Sequence, residues 1–373
     1  MRGISLSPSN NCQPRFQSIP SKQLDKIIIT SPIQFRKRHS FRSFSIKNQS
    51  QSIQNPASKK PINVPPPLVV VGSANADIYV EIDRLPEEGE TISAKNGQTL
   101  AGGKGANQAA CGAKLSHPTY FVGQVGEDAN GKLITEALAG CGVHLDYVNV
   151  LKNGAPTGHA VVMLQSNGQN SIIIVGGANM SGWPQSCDYD LEVLRSAGIL
   201  LLQREIPDSV NIQVAKAARI AGVPVILDAG GMDAPIPREL LNVIDILSPN
   251  ETELGRLTGM PTNSFEEISE AVIKCHEMDV KQVLVKLGAK GSALFIEGEK
   301  PIKQPIISAA RVLDTTGAGD TFTAAFAVAL VEGKSKEECL KFAAAAASLC
   351  VQVKGAIPGM PDRKSVLKLL QSV

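Results

Sequence analysis

"GILLLQREIPDSVNIQVAKAARIAGVPVILDAG", residues 198–230, decides the fold. "GILLLQREI" is apolar without alternation, as a strand covered on both faces must be. "SVNIQVAKAARIAG" carries apolar residues at helical spacing and stops at Gly222, and "VPVILDAG" is a second apolar strand. Strand, helix and strand in so short a span make a βαβ unit, whose two strands run parallel with the helix across one face.

The same rhythm continues downstream. "RELLNVIDILSPN" combines a helix and a strand, "EEISEAVIKCHEM" is a helix, and "KQVLVKLGAKGSALFI" is two strands around a glycine-rich turn. A helix from Asp320, then "KEECLKFAAAAASLCVQ" and "DRKSVLKLL", close the chain. Upstream, Leu68–Gly72 forms a short buried strand after a Pro-rich linker. "ADIYVEIDRL" and "ETISAKNGQTLAGG", with Gly97 near a turn, read as strands of another kind. "GANQAACGAKLS" is a small-residue helix, "TYFVGQVG" a strand, and "DANGKLITEALAGCGV" an amphipathic helix ending at Gly140 and Gly142. "HAVVMLQSNGQNSIIIVGGAN" is a hairpin around Ser166, Asn167 and Gly168. The expected fold is a three-layer α/β/α, Rossmann-like arrangement of a mostly parallel sheet, with a small β element from residues 75–105 and 157–178 projecting from it.

The apolar fraction of 43% supports a large core, and the 4% aromatic share means that Val, Ile, Leu and Ala build it. A net charge of +2 points neither to nucleic acid nor to polyanionic surfaces, and no apolar run is long enough to span a membrane. The seven cysteines (12, 111, 141, 187, 275, 339 and 350) are scattered and never form C-x-x-C, as expected of reduced, mostly buried thiols. Charge is unevenly placed: residues 1 to about 65 hold one acid, Asp25, against eleven Lys and Arg, in a Ser-rich context. Such a leader has the character of an organellar transit peptide, for a plastid before a mitochondrion, or of a disordered tail without targeting function. Residues 66–373 form the folded domain.

No P-loop or dinucleotide fingerprint is present: Gly103-Lys104 is followed by Gly, and Gly317-Ala318-Gly319 has Phe322 where the G-x-G-x-x-G pattern needs its third glycine. His117, His144, His159 and His276 have no metal-ligand spacing and read as surface or loop residues. "GAGD", Gly317–Asp320, opens a helix, where glycines expose consecutive N–H groups and the dipole favours an anion. Asp320 in that first turn either caps the helix or accepts a proton from an alcohol attacking a phosphoryl group. "AGGKGANQAA", Ala101–Ala110, denies side-chain bulk at Gly102, Gly103 and Gly105 while Lys104 and Asn107 offer donors. Asn75 and Asp77 follow a buried strand directly, at the sheet edge where α/β folds bind ligands, and suit a polyhydroxyl compound; a simple Asn/Asp turn is the alternative. Asn250 and Glu253 in "SPNETE" have capping-box spacing, and acids there could also hold hydrated Mg²⁺. The glycines of "KLGAKG", Lys286–Gly291, would let a flat nucleotide approach.

In this order the pieces resemble the PfkB carbohydrate kinase family, and within it the ribokinase branch, over residues 68–373; "GGKGANQAACGAKLSHPTYFVGQVGED" and "DTTGAGDTF" carry the likeness. The resemblance implies a ribokinase-like fold whose β element is a lid over the sugar and a homodimer contact. It implies ATP-dependent phosphorylation of D-ribose at O5. Asp320 would be the general base, and the N–H groups of Gly317, Ala318 and Gly319 the anion hole. Asn75, Ala76, Asp77, Gly103, Lys104, Gly105, Ala106, Asn107 and Glu205 would hold the sugar. Asn250, the turn of Lys286, Leu287, Gly288, Ala289, Lys290 and Gly291, and Gly319 with Asp320 would line the ATP site, with Glu253 positioning Mg²⁺ through water. A K⁺ activator would lie among Asp314, Thr316, Cys350, Val353, Gly355 and Gly359. One departure is Ala344, where some ribokinases carry His near adenine; Arg204 has no assigned role. A kinase of deoxyribose, fructose or a nucleoside, and a catalytically silent plastid scaffold, are the other readings.

Overall fold

The quoted stretch folds as read. In a computed structural model of the chain, which describes residues 65–166, 170–183 and 192–372, it becomes strand Ile199–Arg204, helix Asp208–Ile220 and strand Val225–Gly231, the strands paired in parallel with Leu200 opposite Val225. The leader and the centre of the 166–168 turn lie outside the described residues.

In chain order the strands are β1 (Leu68–Val71), β2 (Asn75–Ile82), β3 (Asn96–Gly102), β4 (Thr119–Gly126), β5 (His144–Leu151), β6 (Gly158–Gln165) and β7 (Asn170–Val175). After them come β8 (Ile199–Arg204), β9 (Val225–Gly231), β10 (Ile246–Ser248), β11 (Gln282–Lys286), β12 (Ser292–Ile296) and β13 (Ile302–Gln304). The helices are α1 (Lys104–Lys114), α2 (Ala129–Cys141), α3 (Glu192–Arg195), α4 (Asp208–Ile220), α5 (Arg238–Leu241) and α6 (Glu251–Thr258). The remaining ones are α7 (Phe265–His276), α8 (Ala318–Val331), α9 (Lys336–Cys350), α10 (Ala356–Gly359) and α11 (Arg363–Leu370).

The main sheet has the order β13-β12-β11-β10-β9-β8-β1-β4-β5, parallel from β5 to β11 and closed by two antiparallel strands. Its centre explains the continuous apolar runs: Leu68–Val71 of β1 and Ile199–Leu202 of β8 are wholly buried. Alternate side chains enter two separate cores. Val70 and Leu201 pack with Phe326 and Phe342 of α8 and α9 on one face, while Val71 and Leu202 pack with Val214 of α4 and Val272 of α7 on the other. This is the expected three-layer α/β/α arrangement.

A second sheet, β3-β2-β6-β7, is the projecting β element. It is mixed rather than a pair of plain hairpins, because β2 and β6 run parallel while β3 and β7 flank them antiparallel. Gly97 lies within β3, opposite Val80, and not at a turn; Thr91–Lys95 stays outside the strand. Strands β5 and β13 escaped the sequence reading, since both are edge strands with few fully buried residues. His117 lies in a loop, as one of the two readings had it, but not at the surface. It is buried, its Nε2–H reaches the Pro66 carbonyl at 3.1 Å, and burial pushes its pKa down. Among the described residues all five cysteines are free thiols, four of them buried, and no helix is long and apolar enough to cross a membrane.

Candidate active site

The sugar-edge residues meet where β1 ends, β2 begins and α1 starts. Gly103 caps α1 with φ 89°, and a Cβ there would stand 2.7 Å from the Asn75 nitrogen, so only glycine lets the two segments touch. At Gly102 an added Cβ would meet the Asp77 carboxylate, which therefore lies flat against the glycine backbone. Ala76 and Ala106 are fully buried, Gly105 sits in the first turn of α1, and all three serve through backbone alone, as in the 2.9 Å bond from Ala106 N–H to the Ser73 carbonyl.

Glu205, directly after β8, gathers these pieces. Its Oε2 accepts from Ser73 Oγ at 2.6 Å, the Lys104 N–H at 3.1 Å and Asn75 Nδ2 at 3.4 Å. Asn179, buried in the 3₁₀ turn Gly177–Met180, donates to Asn75 Oδ1 at 2.7 Å and bonds both backbone groups of Ala74. Asp77 faces Glu205 and Asp320. Burial, then those two carboxylates, pushes its pKa up from 3.8 to about 7.

Asp320 lies in the first turn of α8 and is 5% exposed. Asn107 Nδ2 donates to its Oδ2 at 2.9 Å and Gln108 Nε2 to its Oδ1 at 3.4 Å, while the Lys104 ammonium is 3.6 Å away. Gln203 fixes the Gln108 amide by donating to its Oε1 at 2.7 Å, which leaves the NH₂ facing Asp320. Gly317 caps α8 at φ 77°, packed against Ala356. The helix's first i→i−4 bond runs from Thr321 N–H to the Gly317 carbonyl, so the Gly319 and Asp320 N–H groups precede it and face outward. Ala318 departs from the expected anion hole: its N–H closes a 3.2 Å turn onto the Thr315 carbonyl.

Lys104 lies amid Asp228, Asp320, Glu253 and Glu205. Burial alone would lower its pKa, yet these carboxylates, Asp228 first, hold it well above the ordinary lysine range. Asp228, in the middle of β9, was not singled out in the sequence, although an acid closing the apolar run "VIL" was a legible signal. It is fully buried and bonds Lys286 Nζ at 2.6 Å, Lys104 Nζ at 3.4 Å, Thr323 Oγ1 at 3.2 Å and the Gly230 N–H at 3.0 Å. Burial pushes its carboxyl up, but the Lys104 and Lys286 ammoniums carry it well below the usual carboxylate range.

Across α8 from this cluster is a cavity of about 340 Å³, mostly apolar, lined by Gly288, Gly291, Ala318, Phe322, Ala344 and Ala347 among others. Ala344 thus faces the cavity, and a flat aromatic base fits its glycine and alanine walls. Ala289 lines it too. The neighbours in the turn differ: Leu287 is buried in the core, and Lys290 turns outward to Glu251 Oε1 at 3.0 Å, so neither side chain lines the cavity. Asn250 and Glu253 form a full capping box, each side chain accepting from the other's N–H at 2.8 Å. The second carboxylate oxygen of Glu253 borders Gly230 together with the Lys104 ammonium, which leaves it facing the charged cluster. Capping and ligand binding are therefore compatible there.

Asp314 accepts from the Thr316 N–H at 2.9 Å and the Gly355 N–H at 2.8 Å, tying the turn before α8 to the start of α10. A Cβ on Gly359 would stand 2.9 Å from the Cys350 carbonyl oxygen and 3.4 Å from that of Val353, so these oxygens converge on one point. Among the described residues no three His, Cys, Asp or Glu side chains gather as metal ligands. Arg204 now has a structural role: it pairs with Asp208 at 2.7 Å and donates to the Met232, Ala234 and Pro235 carbonyls, pinning the loop after β9.

Comparison with known proteins agrees with this geometry. Residues 66–363 match the pfkB family carbohydrate kinase. The chain is 71% identical to the ribokinase of Arabidopsis thaliana, covering all of this chain and 99% of that protein, and 38% identical to the ribokinase of Bacillus subtilis over 81% and 99%. It superposes on the Arabidopsis thaliana ribokinase structure complexed with ribose and ATP with a TM-score of 0.79 and 80% identity, covering 82% of this chain and 99% of that one.

Proposed function

The chain belongs to the pfkB family of carbohydrate kinases, and within it we propose that it transfers the γ-phosphoryl group of ATP to the O5 hydroxyl of D-ribose, giving ribose 5-phosphate and ADP. One observation carries this reading. The first turn of α8 is shared, with Asp320 facing the polar sugar edge while Ala318 and Phe322 of the same helix wall the nucleotide cavity. A hydroxyl held at the one and a phosphate reaching from the other meet at Asp320 and the Gly319 N–H.

Asn75, Asp77, Asn107, Glu205 and the backbone at Gly103 orient the sugar hydroxyls. Asp320 takes the O5 proton as the O5–P bond forms and the bond from phosphorus to the ADP oxygen breaks in line. The N–H groups opening α8 and the Lys104 ammonium offset charge on the phosphoryl oxygens. Glu253, through water, fits a Mg²⁺ ion, which would neutralise the nucleotide phosphates, with Asn250 beside it at the nucleotide. The Cys350 and Val353 carbonyl oxygens fit K⁺, and Asp314 ties the turn before α8 to this segment through Thr316 and Gly355.

The exposed run Ile172, Ile173, Ile174 and Val175 on edge strand β7 supports a homodimer formed through the small sheet, which also acts as a lid on the sugar. The basic, Ser-rich leader supports delivery to the plastid stroma, with the mitochondrion as the alternative. A fluorescent protein fused to residues 1–65 reports the compartment, and cytosolic fluorescence removes the targeting reading.

ADP release measured with ribose, 2-deoxyribose, fructose and nucleosides tests the activity, with phosphorus NMR locating the product phosphate. Ribose is the expected best substrate, modified at C5. Preference for another acceptor reassigns the substrate, and no turnover with any of them supports the scaffold reading instead.

A further inference from the structure

We propose that Asp228 is a positioning residue that holds the Lys286 ammonium at the mouth of α8, where it acts as a second cation, beside Lys104, on the phosphoryl group in transfer. The inference rests on the phosphoryl-transfer reading of α8; it adds Asp228 and gives Lys286, so far one residue of the nucleotide turn, a part in the transfer.

A fully buried carboxylate is costly unless every lone pair finds a donor, and Asp228 finds four. Two of them, the Gly230 N–H and Thr323 Oγ1, are fixed parts of β9 and α8, and Thr323 is itself within 3.1 Å of Ser248 Oγ. The other two are ammoniums that end in different places. Lys104 bridges Asp228 and Asp320 at 3.4 and 3.6 Å, which puts its charge on the side of the attacking hydroxyl. Lys286 leaves the end of β11 and runs along α8: a Cβ on Gly319 would stand 3.8 Å from its Cδ and 3.9 Å from its Nζ. Its charge therefore borders the outward-facing N–H groups of the helix start.

Both cations are thus stored on one immobile acid until a more highly charged anion arrives. Asp228 has no path to the sugar edge of its own, since its oxygens are taken by these four donors; its contribution runs through the lysines. A structural ion pair would need only one ammonium, and it would not need that ammonium beside Gly319. The pairing also keeps Lys286 from collapsing onto Asp320, which has to stay free to accept a proton.

The test uses the full chain with Lys286→Met, Lys286→Arg, Asp228→Asn and the Met/Asn double variant, each checked for a native melting transition. Measured quantities are kcat, KM for ribose, and the ratio of affinities for β,γ-imido-ATP and ADP by calorimetry. Lys286→Met should lower kcat on the order of 100-fold, as loss of a charge-stabilising donor does, with KM for ribose changed by less than about threefold. It should weaken imido-ATP about tenfold relative to ADP, and Lys286→Arg should recover part of both losses. Asp228→Asn should cost at least as much as the Met variant, because it also releases Lys104, and the double variant should lose less than the product of the two single losses, because Lys286 is the ammonium they share. A Met variant within about twofold of the parent in kcat, or an unchanged nucleotide ratio, overturns the proposal. So does a double variant whose losses multiply. Should Asp228→Asn fail to fold, the Met and Arg variants decide alone. If the parent protein phosphorylates no sugar, the reading beneath the inference fails, while the nucleotide ratio still tests Lys286.

Discussion

Asp77 should make ribose binding depend on pH across the physiological range. The residue is 9% exposed, and burial, the Glu205 carboxylate and the Asp320 carboxylate together raise its pKa from 3.8 to about 7. A sugar hydroxyl donates its hydrogen to the ionised form, so apparent affinity scales with the ionised fraction. That fraction is about nine-tenths at pH 8 and about one-tenth at pH 6, so KM for ribose should rise roughly tenfold between them. Saturating ribose should hide most of this, since the bound hydroxyls favour the carboxylate, and kcat should move less than KM. Stability has the opposite sign. The folded chain keeps a proton that the unfolded chain loses near pH 4, so Asp77's contribution is complete below that pH and disappears as pH rises through about 7. Carrying the carboxyl from 3.8 to about 7 amounts to on the order of 4 kcal/mol over that window. The ribose-dependent rise in melting temperature should accordingly grow from pH 6 to pH 8. Initial rates at saturating ATP, with ribose varied at each pH, supply the measurement, and Asp77→Asn is the control, with a high KM and no slope. A flat KM between pH 6 and 8, or an Asn variant that keeps the parent's slope, would refute the reasoning.

Three further outcomes follow from the geometry. Asp320→Asn preserves shape and, with its oxygen toward Asn107, that contact, while losing the longer one from Gln108, so it should still fold while losing about 10²- to 10⁴-fold in kcat; near-parental turnover removes it as the base. Replacing K⁺ by tetramethylammonium should lower activity, and Gly359→Ala, whose methyl would press to 2.9 Å from the Cys350 carbonyl, should abolish the K⁺ response while KM for ribose is kept. An unchanged rate without K⁺ sinks the cation site. Ile173→Asp, at 56% exposure on β7, should give a sedimentation mass of one chain where the parent gives two; equal masses remove the sheet-mediated dimer.

The βαβ rhythm was legible because buried parallel strands must be continuously apolar, and "GILLLQREI" and "VPVILDAG" could hardly be anything else. The helix starts at Lys104, Asn250 and Ala318 were legible for a related reason: glycines and capping residues act over a turn or less, within sight of one another in the sequence. Strand β5 was not, since an edge strand with half its residues exposed carries a weak pattern. Nor was the meeting of Asn107 with Asp320, 213 residues apart, readable from spacing; resemblance alone suggested it. Asn179 had no local signal, and Asp228 had one that meant nothing until two lysines from α1 and β11 arrived on it. The sequence by itself determined the layers, the helix starts and the residue types available at the sheet edge. Only the tertiary structure decided which charges share a buried volume, because ion pairing and desolvation depend on distance in space.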